Sequence, residues 1–138
     1  ANHHALLESL FLLFKEEAKE KSPRTATTLS ELIWETKKHF FTEENAIFDY
    51  FPLTSVEILK IINHLKKEHL IMLSDLSEFA NNLDKLAGGD IEDFYKLMEG
   101  HRHIEEKNLY PKLDQEMRPE QKAEVVLRIN QIPIKIKK

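Results

Sequence analysis

Apolar residues recur along this chain in alternating steps of three and four, the spacing that lines up side chains on one face of an α-helix. Over residues 55–86 the pattern is unbroken: Ile58, Ile62, Leu65, His69, Met72, Leu76, Phe79, Leu83 and Leu86. His69 stands at a position that the stripe reserves for an apolar side chain. The same steps run through His4, Leu7, Phe11, Phe14 and Ala18 in residues 4–20, and through Leu32, Thr36, His39, Glu43, Ala46 and Tyr50 in residues 28–50. A last stripe, Phe94, Leu97, Met98, His101, Glu105 and Leu109, occupies residues 90–111. Each of these four stripes carries one histidine, and two of them carry a glutamate four residues after it.

The breaks between stripes have turn chemistry. Ser22-Pro23-Arg24-Thr25 reads as a loop, and Phe51-Pro52-Leu53 interrupts the chain again. Thr28 with Glu31, and Thr54 with Glu57, have the spacing of a capping box. Gly88-Gly89 is expected to stop the third helix, Asp90 to cap the fourth, and Pro111 to kink or end it. A short helix is expected after Pro119, with Val125, Val126 and Ile129 apolar, and an extended or frayed tail from Ile132. With only three glycines and few β-branched runs, the chain reads as all-α. The simplest fold is an up-down-up-down antiparallel four-helix bundle with a short extra C-terminal helix. The 138 residues are expected to form a single domain, with the bundle core at about 3–113 and the short helix and tail at 114–138.

Charge and composition narrow the function classes. A net charge of -4 and a pI near 6.0 offer no basic footprint for nucleic acid; only residues 134–138 are locally basic, as a solvated end would be. Without cysteine, the chain has no disulfide, no thiolate nucleophile and no cysteine-ligated zinc or iron–sulfur site. No apolar run reaches membrane-spanning length and the start lacks a signal pattern, so a cytoplasmic location and no membrane partner are expected. His4 lies so near the start that an upstream or fused regulatory domain is among the expectations.

The stripe histidines belong to an internal repeat. His39 and His101 each begin His-x-x-x-Glu-Glu, with an aliphatic residue eight positions after the histidine and an aromatic at nine: Ile47 and Phe48, then Leu109 and Tyr110. An isolated histidine precedes each copy, His4 before the first and His69 before the second. Residues four apart on a helix share a face, so the repeat points to one shared site. Burying imidazoles and ionised carboxylates in a bundle seam is costly unless something compensates, and a cation is the simplest compensator. Nitrogen and oxygen donors without sulfur suit iron, manganese or zinc. Taken singly, a His-x-x-x-Glu is most often a surface pair and a lone His69 a satisfied core histidine; the weight lies in the set. His64 and His103 fall away from the seam and are expected to face solvent. His3 and Glu8 are the alternative or additional donors near His4, and Glu44 and Glu106 are expected to be solvated or hydrogen-bonded to the ligands. Phe40, Phe41, Trp34 and Tyr110 read as packing, and Tyr50 and Tyr95 as further donors. Neither Glu-x-x-His nor His-Glu-x-x-His occurs, against a ferroxidase bundle and a zincin protease.

One histidine per helix, with His-x-x-x-Glu on the second and fourth, resembles the hemerythrin-like (HHE cation-binding) family over about residues 3–113. Asn108-Leu109-Tyr110-Pro111 and Lys67-Glu68-His69 are similar to that family's surrounding motifs. The resemblance implies a non-haem di-iron centre, oxo- or hydroxo-bridged, with zinc or manganese as alternatives. His4, His39, His69 and His101 would be terminal ligands, and Glu43 and Glu105 would bridge. Oxygen carriers of the family have a further histidine four residues from the third-helix ligand, where this chain has Leu65 and Leu73, and an aspartate five residues after the fourth-helix histidine, where it has Glu106. The four-histidine, two-glutamate set is more like the branch with iron–sulfur repair proteins and iron-sensing domains. The implied function is binding or sensing of O2, NO or iron itself, ahead of catalysis. The alternatives are a di-iron enzyme or iron donor in iron–sulfur cluster repair, peroxide or NO stress, and a metal-free helical interaction module whose polar seam sets register.

Overall fold

The computed structural model describes residues 2–48 and 55–135, with side chains described for 4–48 and 55–130. Its long helices are α1 (Asn2–Lys19), α2 (Thr25–Thr42), α3 (Val56–Asn81) and α4 (Gly88–Ile104), followed by α5 (Tyr110–Glu116) and α6 (Pro119–Lys135). α1 packs on α2 and α4, and α3 packs on the same two, which closes the four-helix bundle that the stripes imply. The His3 side chain, Tyr50, the Phe51-Pro52-Leu53 break, Thr54 and the tail beyond Lys135 lie outside the described residues. No helix among the described residues is long and apolar enough to cross a membrane.

The stripes become a core in two apolar clusters. One gathers Phe11, Phe14, Leu29, Leu32, Met72, Leu76, Phe79 and Phe94. The other gathers Phe48, Ile58, Ile62, Leu65, Leu109 and Leu113. Along α2, α3 and α4 the histidines and glutamates fall between these clusters, so a polar layer crosses an otherwise apolar bundle. α1 contributes to the first cluster and reaches the polar layer through His4.

Several helix ends differ from the sequence expectation. α2 starts at Thr25 because the turn before it closes tightly: Ser22 N–H bonds to Glu17 O at 2.9 Å and Lys21 N–H to Ala18 O at 3.2 Å, with Lys21 in the left-handed region at φ 54°. Thr28 is therefore inside the helix, and its hydroxyl donates to the buried carboxylate of Glu17 on α1 instead of capping. At the start of α3 it is Ser55 that caps, accepting from Ile58 N–H at 3.4 Å. α3 stops at Asn81, and a single 3-10 turn, Leu83–Lys85, precedes an extended Ala87. Gly88 and Gly89 open α4 and neither has a positive φ, so the stop owes nothing to glycine's left-handed freedom and Asp90 is not the cap. The chain stays helical through Pro111, which sits in the first turn of α5 where its missing N–H costs little. The helix after Pro119 runs on to Lys135, longer than its apolar pattern suggests, and packs against α2 and the segment that follows it.

Both repeats also do something their spacing does not announce. At the glutamate of each, the backbone widens from α to π geometry, over Glu43–Phe48 and over Glu105–Leu109. Such π turns are rare and concentrate at functional sites.

Candidate metal centre

Each long helix delivers one imidazole to the polar layer, and the four Nε2 atoms meet in two pairs. His4 and His39 are 3.0 Å apart at Nε2, and His69 and His101 are 3.2 Å apart. Glu43 spans the pairs, with Oε1 3.0 Å from His69 Nε2 and Oε2 3.5 Å from His39 Nε2. Glu105 spans them again, with Oε1 3.4 Å from His4 Nε2 and Oε2 3.5 Å from His101 Nε2. Each carboxylate thus presents one oxygen to each histidine pair. The result is two overlapping sets of donors, His4, His39, Glu43 and Glu105, and Glu43, His69, His101 and Glu105; within each set the donor atoms lie no more than 4.8 Å from one another.

The protonation pattern fits a cation. Glu44 Oε2 is 2.6 Å from His69 Nδ1, and Glu68 Oε1 is 2.9 Å from His101 Nδ1. An ionised carboxylate only accepts, so each Nδ1 donates, and these bonds orient both rings with Nε2 toward the layer. Oε1 of Glu105 is buried without a hydrogen-bond partner. Burial pushes the Glu43 carboxyl up, but hydrogen bonds from Glu105, His39 and His69 outweigh it and hold it well below the usual carboxylate range. Burial, and then the hydrogen bond to Glu43, pushes Glu105 up to about 9. Without a cation the two carboxyls share a proton, with Glu105 keeping it. A positive ion between them would replace that proton and meet the nitrogen and oxygen donors gathered there.

Aromatic rings close the layer. Phe40 lies flat on His69, with centroids 3.8 Å apart and planes at 9°, and Phe48 is stacked against the same ring at 5.9 Å. The Tyr110 hydroxyl donates to Glu43 Oε2 at 2.8 Å and lies 3.5 Å from Glu105 Oε2. Burial, and then the negative carboxylates beside it, raise the Tyr110 phenol, so it acts as a donor. Phe48 and Tyr110 each follow their glutamate by five residues, and the π turn brings that position back over the glutamate; Tyr110 N–H bonds to Glu105 O, five residues earlier. Beside His4, His39, His101 and Glu105 is a cavity of about 30 Å³, walled by Leu7, Phe40, Met72, Phe94 and Met98, with Glu8, Glu99 and Arg102 at its rim. It has room for one water-sized molecule.

All six residues singled out from the repeat, His4, His39, Glu43, His69, His101 and Glu105, come together here. His64 and His103 are exposed; His64 Nε2 lies 3.4 Å from Glu68 rather than in the layer. Glu8 accepts from Arg102 Nη1 at 2.9 Å at the cavity rim and belongs to neither donor set. Two contributors escaped the sequence. Glu68 serves a histidine on another helix, 33 residues away, which no local spacing encodes. Tyr110, read as packing, reaches the glutamates only because of a π turn that leaves no periodic signal.

A family model described as "Hemerythrin HHE cation binding domain" matches residues 1–122. No curated protein and no solved structure matches the chain.

Proposed function

The chain belongs to the hemerythrin HHE cation-binding family, and from that premise we propose that it holds two iron ions between its histidine pairs and uses them to bind or sense a small ligand, O2 or NO, or iron itself. Cation binding is the property the family name carries; the number of ions and their identity are the proposal. His4 and His39 would hold one ion, His69 and His101 the other, and Glu43 and Glu105 would bridge them. The observation that carries this is the division of each carboxylate, one oxygen toward each imidazole pair. A single-ion site would not need that division. Bound iron would supply a redox-active centre with coordination positions left over for a small molecule. The protein's own part is to fix the donors, exclude bulk water with Phe40 and Phe48, and keep a cavity of molecular size beside His4, His39 and His101. At about 30 Å³ that cavity suits a diatomic molecule better than an organic substrate, which favours binding or sensing over turnover. A cytoplasmic setting belongs to the same reading.

The test is anaerobic reconstitution of the full chain with ferrous iron, followed by metal analysis and an absorption spectrum before and after air. Two irons per chain with near-ultraviolet charge-transfer bands are the expected result. Substituting His69→Ala or His101→Ala should lower the iron content; unchanged content in both would sink the assignment.

A further inference from the structure

We propose that a divalent cation reaches the polar layer through the cavity between α1 and α4, with the Arg102–Glu8 ion pair as the latch on that entrance and Glu99 as the carboxylate that receives the ion. This rests on the cation-binding reading above and adds the route by which the layer is loaded, whatever the number of ions it holds.

The cavity is the passage. Its inner wall is made by His4, His39, His101 and Glu105 of the layer, and its rim includes Glu8 on α1 and Glu99 and Arg102 on α4. It therefore runs from the donors to side chains that reach solvent, with Arg102 34% and Glu99 35% exposed. Of the four neighbouring helix pairs in the bundle, α1 and α4 pack least closely. Charge joins them at the rim. Arg102 Nη1 donates to Glu8 Oε2 at 2.9 Å across the seam, and the same guanidinium lies 3.9 Å from Glu99 and 3.6 Å from Glu106. An ion pair this exposed adds little stability and exchanges readily with water, so the closure is one that opens.

Unpartnered atoms mark the same passage. Among the described residues, the buried side-chain atoms without a hydrogen-bond partner are His4 Nδ1, Glu99 Oε1 and Glu105 Oε1, and all three residues line this cavity. Two of these atoms are carboxyl oxygens, one at the rim and one in the layer, where Glu105 is 1% exposed. A buried carboxyl oxygen with no donor is a ready ligand for a cation. Arg102 approaches Glu99 on the side of Oε2, which leaves Oε1 to the ion. Three carboxyls around a single guanidinium also draw cations, not anions, to the mouth.

The metal-free full chain is mixed rapidly with Co²⁺, the growth of the Co²⁺ absorption bands is timed, and ions per chain are counted at equilibrium by native mass spectrometry. Arg102→Gln should load faster than wild type and Glu99→Gln more slowly, each by roughly tenfold at low ionic strength, the low end of what a charged cleft does to association rates. Both should reach the wild-type ion count, and both differences should shrink in concentrated salt. Glu78→Gln makes the same charge change as Glu99→Gln at an exposed position of α3 and should load at the wild-type rate. Equal rates for wild type, Arg102→Gln and Glu99→Gln, or a Glu78→Gln as slow as Glu99→Gln, would overturn the inference while leaving the cation-binding reading in place. Failure of Co²⁺ and Fe²⁺ to bind the wild type at all would instead overturn that reading and this inference with it. If Arg102→Gln does not fold, Glu99→Gln decides: slower loading to the same ion count supports the route, and an unchanged rate overturns it.

Discussion

In the π turn after α2 the residue following the bridging position, Glu44, turns inward to within 2.6 Å of His69 Nδ1; in the π turn after α4 its counterpart, Glu106, is 46% exposed and comes no nearer than 3.6 Å to His4 Nδ1. Five residues past each glutamate the π turn delivers an aromatic, but Phe48 stacks on a histidine while Tyr110 donates to a carboxylate. The two carboxyls differ as well: Glu43 is held ionised and Glu105 is pushed up to about 9. Two copies of one local motif therefore produce the same ligand frame and opposite surroundings. The repeat sets where donors stand, and the unrepeated neighbours set how each donor behaves.

The largest test of that contrast compares the two aromatics in the metal-free protein. Phe48 is 3% exposed, so Phe48→Ala should cost about 3–5 kcal/mol by urea denaturation, as truncating a buried ring does. Tyr110→Phe keeps the ring and loses a hydrogen bond, for about 1 kcal/mol. A negligible cost for Tyr110→Phe would mean that Tyr110, like Phe48, serves only as packing.

Next come the carboxyls. In the metal-free protein at neutral pH, Glu43→Gln removes an ionised acceptor from a buried network and should cost about 2–3 kcal/mol. Glu105→Gln keeps the neutral form without the cost of holding a proton that the unfolded chain releases, and should raise stability at neutral pH. The pH dependence gives the sign. Below its ordinary value near 4.5, Glu105 is protonated in both folded and unfolded chains; above it, the unfolded chain ionises freely while the folded chain holds the proton. Its contribution to stability therefore declines as pH rises from about 4.5 to about 9. Glu43, lowered in the fold, contributes above its ordinary value and loses that contribution as pH falls below it. Wild type minus Glu105→Gln, followed by urea midpoint from pH 5 to 9, should show the decline; a flat difference would mean that the carboxyls are not sharing a proton.

The smallest effect concerns Glu44 and Glu106. Glu44→Ala should cost the metal-free fold about 1 kcal/mol by losing its bond to His69, whereas Glu106→Ala, on the exposed side, should stay within about 0.5 kcal/mol. Thermal melting of the two variants side by side would measure it. Equal values would erase the asymmetry between the copies.

The bundle and its polar layer were legible because both are periodic. Steps of three and four exposed the helices, and His69 showed itself by interrupting the cleanest stripe. Helix ends were less legible: Thr28 had the spacing of a cap, but a tight turn stabilised through Ser22 and Lys21 put it inside α2. Gly88-Gly89 resembled a stop signal, yet the glycines start α4. Such choices are decided by which hydrogen bonds a turn completes, and several turns satisfy the same residues.

By itself the sequence determined the helical class, the four faces and the six residues that share one layer, because the position of a side chain around a helix is a local property of the backbone. It could not determine the π turns at Glu43 and Glu105, the reach of Glu68 to His101, or the proton held by Glu105 beside Glu43. Each of those depends on distances between helices, and only their packing fixes those distances.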